Sequence, residues 1–536
     1  MDIRFSLLFF VVSVSAIWAQ DIEHARILIN ANEKVAETDY NFICATIDWW
    51  PHDKCDYNHC SWGYSSVINL NLSHPLFAKA IQAFHNLRIR IGGSLQDQVL
   101  YDVGSLKVPC RPFQKISSGL FGFSKGCLHM NRWDELNHLF TRTGAIVTFG
   151  LNALHGRHKI GKIQWGGNWD SSNARDFMKY TISKGYAIDS WEFGNELSGS
   201  GVGASVAAEQ YGKDLIQLRS IIDELYRDSS SKPSLIAPGG FYEQNWYAKL
   251  LQVSGSNVVN VVTHHLYNLG PGVDPNLAKK ILDPLHLSRV SETFSKLDQT
   301  IKTYGPWASA WVGESGGAYN SGGRDVSNRF INSFWYLDQL GMAAKYRTKV
   351  YCRQSLIGGN YGLLSTGTFV PNPDFYSALL WHRLMGTGVL AVNSDASPFL
   401  RSYAHCSKER AGITALFINL SNQTRFVVSV RNTLTVEVRK IYKRNSFMQG
   451  IKRTVSWVGN KASDLSISRE EYHLTPKDGY LQSQTMVVNG VPLELTEDGS
   501  IPQLNPVLVD VNSPILIAPL SIAFIVFPNF EAPTCK

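Results

Sequence analysis

Short apolar runs rich in valine and isoleucine alternate with helix-sized segments along roughly the first 380 residues. Runs of this length, bounded by glycine and polar residues, are typical of buried strands. In one intervening segment, Leu215, Leu218 and Ile222 recur at the spacing of a helix face. The pattern predicts eight strands, which are residues 42–48, 87–92, 145–152, 188–195, 234–239, 259–265, 309–314 and 349–354.

Alternating strand and helix units favour an α/β fold, a (β/α)8 TIM barrel, over a doubly wound open sheet, because no dinucleotide fingerprint accompanies them. After about residue 385 the pattern changes to alternating strands broken by turns, which predicts an appended C-terminal β-sandwich. We therefore expect a catalytic barrel at residues 41–384 and a sandwich at residues 385–536. The β-like segment at residues 20–40 is expected to add a strand to that sandwich.

The composition is that of a folded protein. Hydrophobic residues make up 44% of the chain and charged residues 18%, a balance that excludes a largely disordered chain. The formal net charge of +7 is a mild basic excess that favours acidic ligands by steering but does not identify them. We expect a monomer without a nucleic-acid partner.

The first 19 residues have the pattern of a secretory signal peptide, with Arg4 before an apolar run and Ala19 at the cleavage point. We expect a secreted protein of the extracellular space or cell wall, with a vacuolar or lysosomal location and peripheral membrane association left open. The apolar stretch at residues 514–527 contains Pro519 and predicts closing strands rather than a transmembrane segment. Three sequons predict glycosylation, at Asn71, Asn419 and Asn422.

Secretion implies an oxidising compartment, in which cysteines can form disulfides. Cys44 and Cys352 lie in strand-like runs, where two buried free thiols are expected. The cysteine and histidine spacings do not match a zinc site, so no metal ligands are predicted. The other cysteines lie in polar or loop-like surroundings and are candidates for disulfides: Cys55, Cys60, Cys110, Cys127, Cys406 and Cys535.

Two glutamates each close a predicted barrel strand, Glu196 after the fourth and Glu314 after the seventh. Strand ends of a barrel open onto one face, where active sites lie. Glycoside hydrolysis needs such a pair, one carboxyl group protonated and one ionised, about 5–5.5 Å apart in the retaining route. Asn195 supplies an amide for a neighbouring sugar hydroxyl. The alternatives are that Glu196 caps the helix beginning near residue 203 and that Glu314 pairs with a lysine or arginine.

Short motifs gather at the predicted strand ends. They are FGLNAL at 149–154, WEFGNE at 191–196, HH at 264–265, WVGE at 311–314 followed by AYNSGG, and GGNYGLL at 358–364. Together they resemble the heparanases of glycoside hydrolase family 79. ATIDWWPHDKCDYNHCSW, WVGESGGAYNSGG and FWYLDQLGM are similar to the plant heparanase-like members, which include β-glucuronidases. The resemblance covers nearly the whole chain from about residue 25.

The resemblance implies that Glu196 is the proton donor and Glu314 the nucleophile. It implies that Tyr361 and backbone amides of the AYNSGG loop hold a glucuronate carboxylate, without a full counter-charge. Tyr267 lies one position beyond the tyrosine of the family pattern, and a core role is the alternative for His264. The further positions that match the sugar site of the family are Asp48, Ser94, Asn195, Gly322 and Gly323.

The chain also departs from the mammalian heparanase. That relative carries a long excised segment between the second and third strands, where this chain has only about fifty residues, so a single-chain enzyme is expected. A local disulfide between Cys110 and Cys127 is expected there, and the resemblance implies another between Cys406 and Cys535. The heparan-binding lysine cluster has no clear counterpart.

The leading hypothesis is a retaining exo-β-glucuronidase that acts on plant glycans such as arabinogalactan, or on glucuronide conjugates, and needs no cofactor. One alternative is another retaining exo-glycosidase, such as an arabinofuranosidase. A second is a glycan-binding protein without catalysis. Beside the predicted site, Trp49 and Trp50 fit a stacking wall for the substrate and plain packing equally well.

Overall fold

Eight parallel strands close into a barrel in the computed structural model, which describes residues 21–104, 106–433 and 468–535. Each strand pairs with the next one along the chain, and the eighth pairs with the first through Tyr351 opposite Ile43. Helices cover the outer face, which explains the continuous apolar character of the strands. The predicted (β/α)8 barrel is confirmed. Its strands are Ile43–Ile47, Arg88–Ile91, Ile146–Leu151, Ser190–Phe193, Ser234–Gly240, Val261–Leu266, Ser309–Ser315 and Thr348–Arg353.

Amphipathic helices pack around the barrel. In the helix after the fourth strand, Leu215, Leu218 and Ile222 are buried at the predicted helical spacing. This helix begins at Ala208 rather than near residue 203. The α-helices are Pro75–Gln82, Met130–Thr143, Ser172–Ser183, Ala208–Leu225, Gln244–Ser254, Leu277–Ile281, Pro284–Ser288, Val290–Tyr304, Asn332–Lys345 and Pro373–Leu384.

Short elements shape the loops around the barrel. The strands Val99–Asp102 and Gly126–His129 pair in parallel and frame the segment between the second and third barrel strands. Two further short pairs are His158–Lys159 with Trp165–Gly166 and Gly270–Pro271 with Ala318–Tyr319. The 3₁₀ turns are Gln96–Gln98, Leu120–Gly122, Lys477–Gly479 and Pro533–Cys535.

A second sheet joins both ends of the described chain. Its N-terminal strand Asp21–Glu37 lies between Met385–Ser394 and Thr424–Asn432. The strands hydrogen-bond into one sheet that folds over its own apolar core, since Ile517 at one edge and Ile525 within the sheet share a cluster. The two layers of the expected sandwich are therefore parts of one sheet. Its remaining strands are Leu400–Ser407, Ile413–Asn419, Ser468–Pro476, Met486–Val488, Val491–Pro492, Val507–Asp510, Ile515–Ile517 and Ser521–Phe527.

The C-terminal apolar stretch forms the two strands Ile515–Ile517 and Ser521–Phe527, in agreement with the prediction. Within the described ranges, no helix combines the length and the hydropathy that a membrane crossing requires. The predicted signal peptide at residues 1–19 lies outside the described residues.

The prediction that Cys44 and Cys352 are free thiols is wrong, because they form a disulfide with a Cα–Cα distance of 4.1 Å. They are register partners on the first and eighth barrel strands. Barrel closure brings them together, and strand-like runs 308 residues apart give no sign of this contact. The remaining disulfides join Cys55 to Cys60, Cys110 to Cys127 and Cys406 to Cys535.

One predicted glycosylation site is incompatible with the fold. Asn419 is 0% exposed, and its side-chain amide donates to the carbonyl oxygens of Thr424 and Ala518. A glycan on that nitrogen would break these bonds inside the sheet, so the prediction at Asn419 is wrong. Asn71 and Asn422 are exposed.

Replacing both Cys44 and Cys352 by alanine should destabilise the barrel, because the bond joins its first and last strands across 308 residues of sequence. Loss of a native disulfide costs about 2–5 kcal/mol. Denaturant titration of the oxidised proteins measures the free energy of unfolding. The control is the double alanine variant at Cys55 and Cys60, whose bond closes only 5 residues and whose loss should cost less. Wild-type stability of the Cys44 and Cys352 variant would contradict this expectation.

Candidate active site

The two predicted catalytic glutamates meet at the C-terminal mouth of the barrel. Glu196 follows the fourth strand and Glu314 lies in the seventh, and each is 6% exposed. One carboxylate oxygen of each and a ring nitrogen of His265 all lie within 4.8 Å of one another. Both glutamates line a cavity of about 380 Å³. Residues 118 positions apart in sequence are thus brought to reacting distance by the barrel.

The backbone holds Glu196 in an unusual conformation. Its φ angle is +54°, in the left-handed region that non-glycine residues rarely adopt. Its amide donates to the carbonyl oxygen of Gly239, 2.7 Å away, on the neighbouring strand. The following helix begins at Ala208 without a side-chain cap, so Glu196 is not a helix cap.

The environment of Glu196 favours its protonated form. Burial raises the pKa of the carboxyl group to about 7, against a lowering by the positive charge of Arg90. Its Oε1 lies 3.0 Å from Nδ1 of His265. Burial also lowers the pKa of His265 to about 3, so that its ring is neutral. A neutral imidazole nitrogen can accept from the acid or donate to the carboxylate, depending on its tautomer.

Glu314 accepts hydrogen bonds from a guanidinium group and from a phenol. Arg90 donates from Nη1 to Oε2 at 2.8 Å, and the Tyr267 hydroxyl donates to Oε1 at 2.6 Å. Both contacts stabilise a negative charge. The alternative that Glu314 pairs with an arginine is therefore correct as geometry, but the pair does not remove the carboxylate from the cavity.

Arg90 joins the parts of the site. Its guanidinium is 1% exposed and also donates to Oε2 of Glu192 at 2.6 Å and to Oδ1 of Asn195 at 2.8 Å. Sequence reasoning missed both Arg90 and Glu192. The signal was the alternation RIRI in the second strand, where arginines in a buried run must find partners inside the barrel.

The histidine of the site is His265 and not His264, so the prediction at His264 is wrong. The two side chains point to opposite faces of the sixth strand. His264 packs edge-on against the ring of Phe294, with ring centroids 5.6 Å apart. Neither of its ring nitrogens has a hydrogen-bond partner among the described residues. His264 therefore belongs to the core between barrel and helix.

The other predicted sugar-site residues divide into two groups. Ser94, Tyr267 and Tyr361 line the cavity together with both glutamates. Asp48 lies behind them and accepts from Gln354 Nε2 at 2.9 Å, and Gln354 lines the cavity in its place. Burial, reinforced by the charge of Glu314, raises the pKa of Asp48 to about 7.

Asn195 also lies behind the cavity surface, with its amide nitrogen unpartnered among the described residues. Its Oδ1 accepts from Arg90, and the contact of its amide with a sugar hydroxyl stays a prediction.

The residues by which the AYNSGG loop reaches the cavity are not the predicted glycines. Tyr319, Asn320 and Ser321 line the cavity, whereas Gly322 and Gly323 do not. The amide of Gly323 already donates to the Ser327 hydroxyl at 2.9 Å, so its prediction as an anion donor is wrong in this conformation. Gly322 has φ +76°, and a Cβ there would lie 2.7 Å from the Tyr361 ring. Only a glycine at position 322 therefore lets the loop backbone lie this close to the Tyr361 ring.

The tryptophans after the first strand have separate roles. Trp49 is fully buried and packs edge-on against Phe149 at 6.2 Å, which is core packing. Trp50 lines the cavity and packs at 6.0–6.4 Å against three other rings. We call this group the aromatic wall; its members are Trp50, Trp62, Phe121 and Phe123.

Two side-chain groups have spacings that could suit a metal ion. Glu196, His265 and Glu314 form one, but Arg90 already balances the charge of Glu314. The other contains Cys110, whose sulfur is bonded to Cys127 and is no thiolate ligand. Neither of the two groups is therefore assigned to a metal ion.

The chain is similar to known proteins over nearly its whole length. The model of "Glycosyl hydrolase family 79, N-terminal domain" matches residues 24–341. Heparanase-like protein 1 of Arabidopsis thaliana is 66% identical over 520 residues, which cover 97% of this chain and 96% of the relative. Baicalin-β-D-glucuronidase of Scutellaria baicalensis is 39% identical over 510 residues, which cover 92% of this chain and 90% of the relative.

A solved structure shares the fold. The 4-O-α-L-rhamnosyl-β-D-glucuronidase of Fusarium oxysporum 12S aligns with a TM-score of 0.62 at 15% identity, over 94% of this chain and 100% of the other. The family match, the full-length relatives and the paired carboxylates lead to one assignment. The chain belongs to glycoside hydrolase family 79 and is a glycoside hydrolase.

Proposed function

We propose that the protein is a retaining exo-β-glucuronidase. The observation that carries the proposal is the contrast between two carboxyl groups within 4.8 Å, one raised in pKa by burial and one paired with Arg90. A separation of about 5–5.5 Å between the carboxyl groups is typical of the retaining route.

The contrast assigns a role to each group. Glu314 attacks the anomeric carbon while the glycosidic bond breaks, and Glu196 gives its proton to the departing oxygen. The resulting glycosyl ester on Glu314 is then cleaved by water, from which Glu196 takes a proton. His265 can stay bonded to Glu196 in both steps if Nδ1 carries its proton, because Oε1 accepts whether Oε2 holds the acid proton or has released it.

The choice of sugar rests on the relative whose name describes a β-D-glucuronidase and on Tyr361 in the cavity. The proposed substrates are β-linked glucuronides, either at the ends of plant glycans or in small-molecule conjugates. Exo action is supported by the aromatic wall, since Trp50 is only 6% exposed and packs against neighbouring rings on its side of the cavity. The volume of about 380 Å³ is near the small end of ligand cavities, about 300–1,000 Å³.

Secretion is part of the proposal. The signal-like first 19 residues and the four disulfides among the described residues support folding in an oxidising compartment.

Glu196→Gln should lower kcat/KM for an alkyl β-glucuronide by about 10²–10⁴, because loss of the general acid leaves a poor leaving group unprotonated. A nitrophenyl β-glucuronide, whose leaving group needs little protonation, should form the glycosyl-enzyme at a rate much closer to wild type. Glu314→Gln should lose turnover of both. The control is Glu209→Gln, which removes an exposed carboxylate paired with Lys249 on a surface helix and should act as wild type. Equal losses on the two substrates for Glu196→Gln would contradict its role.

Hydrolysis of the alkyl glucuronide should decline as the pH rises through about 7. The pKa of Glu196 is raised in the folded protein, so the acid form required for catalysis is present below that value and lost above it. The pH profile of kcat/KM measures this limb. Pre-steady-state release of nitrophenol should be much less sensitive over the same range. An alkyl-glucuronide profile that stays level to pH 9 would exclude Glu196 as the acid.

Exo action predicts the products. From an oligosaccharide with one terminal and one internal β-glucuronosyl unit, the enzyme should release only free glucuronic acid, because in the proposed binding mode the cavity ends at the aromatic wall beyond the bound sugar. Mass spectrometry of the products checks this expectation. The matched substrate has the terminal unit capped at its 4-hydroxyl and should not react. Internal fragments from the capped substrate would show that the cavity is open at both ends.

A further inference from the structure

The cavity of the two glutamates contains one basic side chain among its described lining residues, Lys54. Three carboxylic residues line the same cavity: Asp56, Glu196 and Glu314. Arg90 lies behind the lining and offsets the charge of Glu314, so the charges that an acidic sugar meets at the lining itself are those of Asp56 and Lys54. Lys54 is the cationic group among the described lining residues that can attract an anionic ligand.

Lys54 is held in place on two sides. Its ammonium group lies 2.8 Å from Oδ1 of Asp56 and 4.5 Å from the ring centroid of Trp50. Its side chain is 19% exposed, so the charge is largely shielded from solvent. The disulfide between Cys55 and Cys60 closes the short loop directly after it. Lys54 is thus a fixed side chain and not a mobile surface lysine.

A chain of contacts connects Lys54 to the tyrosine assigned to the sugar carboxylate. Asp56 accepts a hydrogen bond from the Ser321 hydroxyl at 2.5 Å, and Trp62 Nε1 donates to the same hydroxyl oxygen at 2.9 Å. The Trp62 ring meets the Tyr361 ring edge-on at 6.0 Å. Lys54 and Tyr361 therefore belong to the same wall of the cavity.

The donors of Lys54 are not exhausted. An ammonium group has three N–H bonds, and within the described residues one hydrogen bond, to Asp56, is formed. The amide of Gly323, in contrast, is already taken by Ser327. Lys54 can therefore add charge-assisted donors to those that Tyr361 and the AYNSGG loop offer.

We propose that Lys54 binds the carboxylate of the acidic sugar and thereby sets the preference for glucuronides over neutral glycosides. The inference rests on the proposed β-glucuronidase function and names a specificity residue for it. Charge-assisted hydrogen bonds of this kind account for about a 10- to 100-fold preference.

The test compares an aryl β-glucuronide with the corresponding glucuronamide, whose carboxamide has the same shape without the charge. Lys54→Met should reduce kcat/KM for the glucuronide by about 10- to 100-fold, chiefly through KM, and leave the glucuronamide almost unchanged. Lys54→Arg should recover a large part of the loss. The control is Lys115→Met, because Lys115 donates to the carbonyl of Asp53 in the same loop region but does not line the cavity.

Equal losses on both substrates, or an unchanged preference in Lys54→Met, would overturn the assignment. Calorimetric titration with free glucuronate gives a second readout that needs no turnover. Lys54→Met should weaken glucuronate binding by at least about 10-fold. If wild type hydrolyses neither substrate, the proposed function fails, and the titration still decides the role of Lys54: unchanged glucuronate binding in Lys54→Met rejects it.

Discussion

The buried guanidinium of Arg90 is the contact on which the active site depends. It bonds Glu314, Glu192 and Asn195, and so links the second, fourth and seventh strands across the inside of the barrel. A carboxylate buried without such a partner takes up a proton. Arg90 lies close enough to neutralise Glu314 but makes no hydrogen bond to Glu196 among the described contacts. Two chemically identical side chains are thereby given different electrostatic surroundings in one cavity.

The barrel supplies the geometry that places the two glutamates in different surroundings. Strand ends place both glutamates at one mouth, and the left-handed backbone of Glu196 turns the chain directly after the fourth strand. Tyr267 and His265 then bond one carboxyl group each. The loops carry the proposed selectivity, because the aromatic wall and Lys54 both lie at the cavity of the two glutamates. Catalysis and selectivity are thus assigned to different parts of the chain.

The sequence predicted the barrel because both faces of its strands are buried and their apolar runs are continuous. It placed Glu196 and Glu314 correctly at strand ends. It could not show which faces of adjacent residues point inward, hence the choice of His264 over His265. The bond between Cys44 and Cys352 depends on barrel closure, and the burial of Asn419 depends on sheet pairing. These are long-range contacts, which local patterns do not record. Arg90 was visible as a charge in an apolar strand, but its partners were not.

The most direct test of the account is the configuration of the first product. Proton NMR of a β-glucuronide during the first minutes of hydrolysis distinguishes the two anomers of free glucuronic acid before they interconvert. The ionised Glu314 acting as nucleophile beside the protonated Glu196 predicts the β-anomer as the initial product, because two displacements restore the configuration. Initial appearance of the α-anomer would show a single displacement by water and would contradict the roles assigned to both carboxyl groups.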